Sequence, residues 1–315
     1  MISTRTAEMD DRKLRMSGTS LDRAGEDEPR PDAGRPPAEA RCPDIDQDPA
    51  LPADLERLFA DDGVARALSV PLPSGDVVWP DPGYRQQRTP RRPAFWVSDD
   101  PAPRGAWAEL RAEHHRSGLW PVLLDDSTQP WSAGQVAPEP VAEVDTYDPA
   151  AFMAEVWAER VGADDDLEDL APYGRYCPGP APPGEPAADP GAVADRYAHI
   201  LEDRGMPLGL AAAERGADAL TVMGWQGAIN HNPWIAPLSA VLRGWEDRFG
   251  VRVLGMGFNT LDLSVAAPPV TTRHALHVAA EHWAFCPDII FQGPGTLVDY
   301  AAEIRGKSSW SFWWD

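Results

Sequence analysis

The sequence predicts an α+β fold, a mixed β-sheet with a β-hairpin, flanked by helices and preceded by a disordered N-terminal tail. Three observations predict it. Leu238, Val241, Leu242, Trp245 and Phe249 recur at i, i+3, i+4, i+7 and i+11, one apolar stripe along a helix that Gly250 stops. Val251 to Phe258 and Leu261 to Val265 flank Asn259-Thr260 and read as a β-hairpin. Residues 1–50 are poor in large apolar side chains, contain Pro29, Pro31, Pro36, Pro37, Pro43 and Pro49, and show no sustained period, which predicts the tail.

The elements follow in chain order. Leu51, Leu55, Leu58 and Phe59 repeat at helical spacing, and Asp76 to Trp79 suits a short strand. Trp107, Leu110 and His114 share one side of a helix ending near Gly118, after which Gly118 to Leu124 reads as a buried strand. A helix from Pro149 to Arg160 turns Phe152, Val156 and Trp157 inward. A helix over 191–203 leads into a strand, Pro207 to Ala211, then into Asp218 to Met223 and the loop Gly224 to Asn230. Beyond the hairpin, a helix from Thr272 to Phe285 stops before Pro287, whose ring nitrogen cannot donate a hydrogen bond. Gly293 to Thr296 opens a last helix through Ile304, and Trp310 to Trp314 forms a closing strand.

Charge divides the chain unevenly. It carries 28 Lys+Arg against 50 Asp+Glu, a net −22, yet residues 207–315 account for only −3 of it. Residues 137–190 hold 13 acids and 2 bases, followed within that span by a proline run from Pro172 to Pro190. The expected organisation is therefore a tail (1–50), an α/β region (51–160) packing on the C-terminal part, an acidic Pro-rich linker or insertion (161–190), and a C-terminal domain (191–315). A balance this negative repels phosphate backbones and anionic membranes, so neither nucleic acid nor membrane is an expected partner. No run is apolar enough for a secretory leader or a membrane span, and the expected location is cytoplasmic. Cys42, Cys177 and Cys286 lie far apart and suggest neither a disulfide framework nor a structural zinc site.

Four blocks carry a resemblance: Leu238 to Gly250, Leu263 to Pro269, Ala280 to Asp288, and Phe312 to Asp315. Together they resemble the actinobacterial family called domain of unknown function 4253, over the last ~110 residues. The resemblance implies no activity and carries over no catalytic residue. The chain departs from the family's pattern after Asn230, where His231, Asn232, Pro233 and Trp234 stand.

Chemical candidates concentrate in the helix Thr272 to Phe285 and just after it. His274, His277 and Glu281 fall within about 60° on a helical wheel, a geometry open to a metal ion but preferred here as the solvated face of an amphipathic helix. No metal and no cofactor is assigned. His282 and Cys286, four residues apart with Asp288 beyond, have the residue types of a Cys nucleophile; a buried structural Cys286 is the preferred alternative. Glu246 and Asp247 point apart on their helix, and Arg248 is expected to form a salt bridge or to cover Trp245. Gly255-Met-Gly257 and Gly293-Pro-Gly295 match neither dinucleotide-binding nor phosphate-loop patterns, and no GxSxG nucleophile motif occurs. Trp310, Phe312 and Trp314 share one strand face, leaving Trp313 on the other as a partner anchor, with Trp225 and Trp234 as further anchors.

Two functions are consistent with these features. The favoured one is a non-catalytic cytoplasmic interaction protein, immunity-like or regulatory, whose partner has a basic surface. The alternative is a hydrolase or transferase with a C-terminal pocket built around Asn230, His231, Glu281, His282, Cys286 and Asp288.

Overall fold

A computed structural model describes residues 49–60, 62–84, 91–128, 130–162 and 167–315. The expected tail over 1–50 lies outside the described residues except for Pro49 and Ala50, as do Cys42 and Asp164 to Asp166. Seven strands are described: β1 (Gly75–Val78), β2 (Phe95–Pro101), β3 (Leu119–Leu124), β4 (Pro207–Ala212), β5 (Arg252–Met256), β6 (Thr260–Ser264) and β7 (Ser309–Trp313). They form one mixed sheet in the order β1-β2-β4-β3-β5-β6-β7, in which β3 and β5 are the parallel pair and the other neighbours are antiparallel. All six residues of β3 are buried, as expected for a central strand covered on both faces.

The helices in chain order are α1 (Ala53–Glu56), α2 (Ala106–Ser117), α3 (Val141–Val144), α4 (Pro149–Val161), α5 (Pro190–Glu202), α6 (Ala219–Met223), α7 (Ala236–Phe249), α8 (Thr272–Phe285), α9 (Asp288–Phe291) and α10 (Leu297–Ile304). α2 and α5 pack together against one face of the sheet, where a side chain at Gly255 of β5 would collide with Leu201 of α5. α7 and α8 cover the opposite face. There Trp245 of α7 stacks on Phe312 of β7 at 5.6 Å and meets Trp310 edge-on at 5.5 Å, while Phe285 of α8 meets Phe312 at 5.0 Å. The aromatic face anticipated for Trp310, Phe312 and Trp314 is thus the core face, and Trp313 lies half-buried on the other.

The α/β region and the C-terminal part share this sheet. β3 sits between β4 and β5, and β2 pairs with the far edge of β4, so the strands after residue 207 are completed by strands before it. β2 is an element that the periodicity did not announce. Its second half, Ser98-Asp-Asp-Pro101, is poor in strand-forming residues, and the register shifts between Val97 and Pro101. The buried Ser98 hydroxyl accepts the Leu208 N–H there, replacing a backbone acceptor of the ladder. In α4 the buried stripe is Met153, Trp157 and Val161, rotated about one residue from the expected Phe152, Val156 and Trp157. Sequence spacing permits both stripes, and the wall that α4 meets selects one.

The described part of the acidic Pro-rich segment, 167–190, is fastened to the body rather than hanging as a linker. Gly184 N–H donates to Arg248 O, Ala187 N–H to Ala266 O, and Ala181 is buried with its N–H on Glu281 Oε1 at 2.7 Å. With few residues able to pair their backbones locally, the proline-rich strap satisfies them on α7, α8 and the segment after β6.

Candidate functional site

Loop 224–234 shapes one end of the sheet. Gly224 closes α6 in the left-handed conformation, where a side chain would also strike the backbone of Ala137 and Pro138. Trp225 then turns inward; its indole donates to Gly257 O at 2.8 Å and its ring meets Trp314 edge-on at 5.1 Å. Successive turns through Ala228 bring Asn230 and His231 to the C-terminus of the chain. Asn230 Nδ2 donates to Asp315 O at 3.2 Å, the Asp315 N–H donates to Asp288 Oδ2 at 3.0 Å, and His231 Nε2 lies 2.9 Å from the same Asp288 oxygen. Asn230, His231, Asp288 and Asp315 therefore form one node.

His282 does not join it. Its ring is fully buried among Trp245, Trp310 and Phe312 at 4.9, 4.4 and 4.9 Å, with Nδ1 3.0 Å from the Tyr300 hydroxyl. Burial holds its pKa well below the usual imidazole value, and the Arg248 cation acts in the same direction. Cys286 is also buried, with its thiol donating to Trp313 O at 2.9 Å; burial pushes its pKa up to about 12, with Asp288 adding to the rise. A thiol so held is neither exposed nor ionised at neutral pH, so the pairing of His282 with Cys286 as a nucleophile is corrected by their surroundings. Folded protein treated with iodoacetamide at about pH 8 is accordingly expected to leave Cys286 unalkylated, and denatured protein to alkylate it. Peptide mass spectrometry checks this, and rapid labelling of Cys286 in the folded state would contradict it.

The stripe of His274, His277 and Glu281 is not a solvated face, as its last member shows. Glu281 is 2% exposed and accepts from Arg248 at 2.7 and 2.6 Å, from Trp245 Nε1 at 2.9 Å and from Ala181 N. His274 Nε2 and His277 Nε2 instead meet the Pro182 and Gly179 carbonyls at 2.8 and 3.0 Å. Their ring nitrogens pin the strap, and among the described residues no group of three or more His, Cys, Asp or Glu is placed to hold a metal ion.

The three tryptophans expected as partner anchors separate. Trp225 is wholly buried and is corrected to a core residue, its indole fixed on Gly257. Trp313 is half-buried, and Trp234 is 57% exposed. Phe258 at the hairpin turn (50%) and Phe291 at the end of α9 (48%) are exposed as well. Two segments carrying exposed rings are tied to the node, loop 224–234 by Asn230 and α9 by Asp288, and the turn is held next to it by Asn259 Nδ2 on Trp314 O.

Beside the node opens a cleft of about 510 Å3, with His231 and Asp288 on its wall. Arg160, Asp169 and Trp283, which were not singled out from the sequence, also line it. Arg160 was legible in principle, since it falls seven residues after Met153 and three after Trp157, on the buried stripe of α4. A charged residue on a buried stripe is the signal. Asp169 and Trp283 carry no comparable local mark.

Residues 207–315 match the model of a family described as Domain of unknown function (DUF4253), a stretch that begins at the first residue of β4 and includes the node's residues. No curated protein and no solved structure matches the chain. Among the described residues no helix is long and apolar enough to cross a membrane.

Proposed function

We propose that this chain is a non-catalytic interaction protein, immunity-like or regulatory in role, that acts in the cytoplasm on a protein partner with a basic surface. The observation that carries the reading is the set of exposed rings, Trp234, Phe258 and Phe291, on segments hydrogen-bonded at or next to one node at the end of the sheet. Large rings held open to water on fixed segments are the residues from which binding hot spots are built. The overall charge of −22 supplies long-range attraction for a basic partner and makes the association salt-sensitive. The locked states of Cys286 and His282 support the non-catalytic side of the reading.

Immobilised full-length chain is expected to retain a basic protein from a lysate at low salt and release it at high salt. The double variant Trp234→Ala/Phe258→Ala is expected to retain at least about tenfold less, since hot-spot truncations cost about 2 kcal/mol or more each. No retained protein at low salt, or equal retention by the variant, would sink the proposal.

One observation favours a second reading, a hydrolase or transferase: His231 and Asp288 form an imidazole–carboxylate pair on an open cleft beside Asn230. Such chemistry would use His231 on a bound water, because Cys286 retains its proton. Ester or phosphoester turnover by the purified chain, lost in His231→Ala, would select this reading.

A further inference from the structure

β7 closes one end of the sheet with only β6 beside it, so half of its main-chain groups face outward. Two hydrogen bonds tell which half. Val265 N–H donates to Ser308 O and Trp314 N–H to Asn259 O, each between residues directly opposite in the β6–β7 register. Antiparallel ladders alternate, so Trp310 and Phe312 also bond toward β6, while the N–H and C=O groups of Ser309, Ser311 and Trp313 point away from it. From Trp313 onward this outer edge is closed by the chain around the start of α9: the Cys286 thiol donates to Trp313 O, and Asp288 accepts the Asp315 N–H. Ahead of that closure, no hydrogen bond among the described residues engages the main-chain groups of Ser309 and Ser311 or the Trp313 N–H.

A groove of about 490 Å3 runs along these groups. Its walls are β7 from Ser309 to Ser311 and the end of α10 with the chain that leaves it, and among the described residues none from β6 lines it. A row of unpaired donors and acceptors at strand spacing is matched by another extended chain. The side chains of such a chain alternate between two surroundings. On the Trp310 side they meet Ala302 and Ile304, which suit apolar residues, and there Glu303 and Lys307 offset each other's charge. On the Ser311 side they meet a hollow whose described lining carries Asp125, Asp126 and Asp262 against Arg204. Asp262 stands opposite Ser311 in β6 and accepts its hydroxyl. With strands about 4.8 Å apart, a lysine or arginine beside the short Ser311 side chain comes within reach of that carboxylate. A second copy is a poor occupant, because pairing β7 with itself about Ser311 would set each Ser309 beside the other copy's Trp313, where the start of α9 already stands.

We propose that the outer edge of β7 takes up an extended segment of a protein partner as an additional strand, with a basic residue opposite Ser311 and apolar residues on either side of it turned toward α10. This deepens the interaction reading and rests on it for the existence of a protein partner, but it uses different groups, since Trp234, Phe258 and Phe291 do not line the groove.

The acetylated and amidated pentapeptide Thr-Val-Lys-Val-Thr, titrated into the isotope-labelled full chain and followed by amide resonances, tests it. In the free chain the amides of Ser309, Ser311 and Trp313 are expected to exchange with deuterated water faster than those of Trp310 and Phe312, and the peptide is expected to shift and protect them. A methyl on the lysine nitrogen, which faces Ser311, should weaken binding at least about tenfold, the loss of a main-chain hydrogen bond. A methyl on either valine nitrogen, which faces away, should leave binding unchanged. Glutamate in place of lysine should weaken it about threefold or more, a cross-strand charge effect that Asp262→Asn should reduce. Ser311→Pro removes an outward N–H, a change that edge strands accept, and should abolish binding in a folded chain. Should that variant fail to fold, the methylated peptides decide alone. Slow exchange of the free Ser309 and Ser311 amides, equal weakening by methyls on lysine and valine, no shift at these amides with millimolar peptide, or self-association of the chain that Ser311→Pro abolishes would each overturn the proposal. Because the probe is a peptide of known sequence, these outcomes stand apart from retention of a lysate protein and its loss in Trp234→Ala/Phe258→Ala.

Discussion

Arg248→Ala is expected to cost about 3–5 kcal/mol of folding stability, the usual penalty for removing one partner of a buried ion pair. Glu281 is the reason. Its carboxylate is 2% exposed and meets both terminal nitrogens of Arg248, so truncation leaves a buried charge with only the Trp245 indole and the Ala181 N–H to hold it. Arg248 also donates to Gly244 O and Ala181 O, so the same change loosens the strap over 179–184 from α7 and α8. Urea unfolding followed by tryptophan fluorescence measures the loss, and limited proteolysis should show earlier cutting within the strap. The double variant Arg248→Met/Glu281→Leu should recover much of the stability, because the charge left unpaired by the single change is gone. A single variant within about 1 kcal/mol of the parent, the median worth of a surface pair, would mean that Glu281 reaches water.

His282 gives the second large effect, and its sign is fixed by burial. Its folded pKa lies well below the unfolded value of about 6.5, so as pH falls through 6.5 the unfolded chain takes up a proton that the folded chain refuses. Stability therefore falls with decreasing pH by about 1.4 kcal/mol per unit from this residue, from pH about 6.5 down to the folded pKa. His282→Phe keeps the ring among Trp245, Trp310 and Phe312 and removes the proton site. Its stability should be about 1.4 kcal/mol per unit less steep over that window, whatever the constant offset from losing the Tyr300 contact. Equal slopes in parent and variant would show that the imidazole protonates in place.

Much of the architecture was legible because it rests on local periodicity. The stripe of Leu238, Val241, Leu242, Trp245 and Phe249, the hairpin around Asn259-Thr260 and the alternating faces of Trp310 to Trp314 all depend on neighbours only a few residues away, and all appear where their spacing put them. The node was half legible. Asn230, His231 and Asp288 were candidates and are brought together, His231 on Asp288 directly and Asn230 through Asp315, but His282 and Cys286 were grouped with them because they are close in sequence to Asp288. On a helix end, four residues' separation sets a direction, and the packing of β7 against α8 decides whether that direction leads to water or to the core.

What the sequence determined by itself is the α+β class, the order of most elements, the uneven distribution of charge, and which side of α7 and β7 is apolar. Tertiary structure decided the rest. It inserted β3 between β4 and β5, recruited Ser98-Asp-Asp-Pro101 as a strand, and laid the acidic strap on α8 so that Glu281 became a buried anchor instead of a surface carboxylate. It also fastened Arg160 of α4 to the Trp283 and Ala284 carbonyls at the end of α8. The physical reason is common to all four: periodicity records that a side chain leaves water, whereas its partner comes from tens or hundreds of residues away, and only that partner decides whether a buried charge is satisfied or silenced.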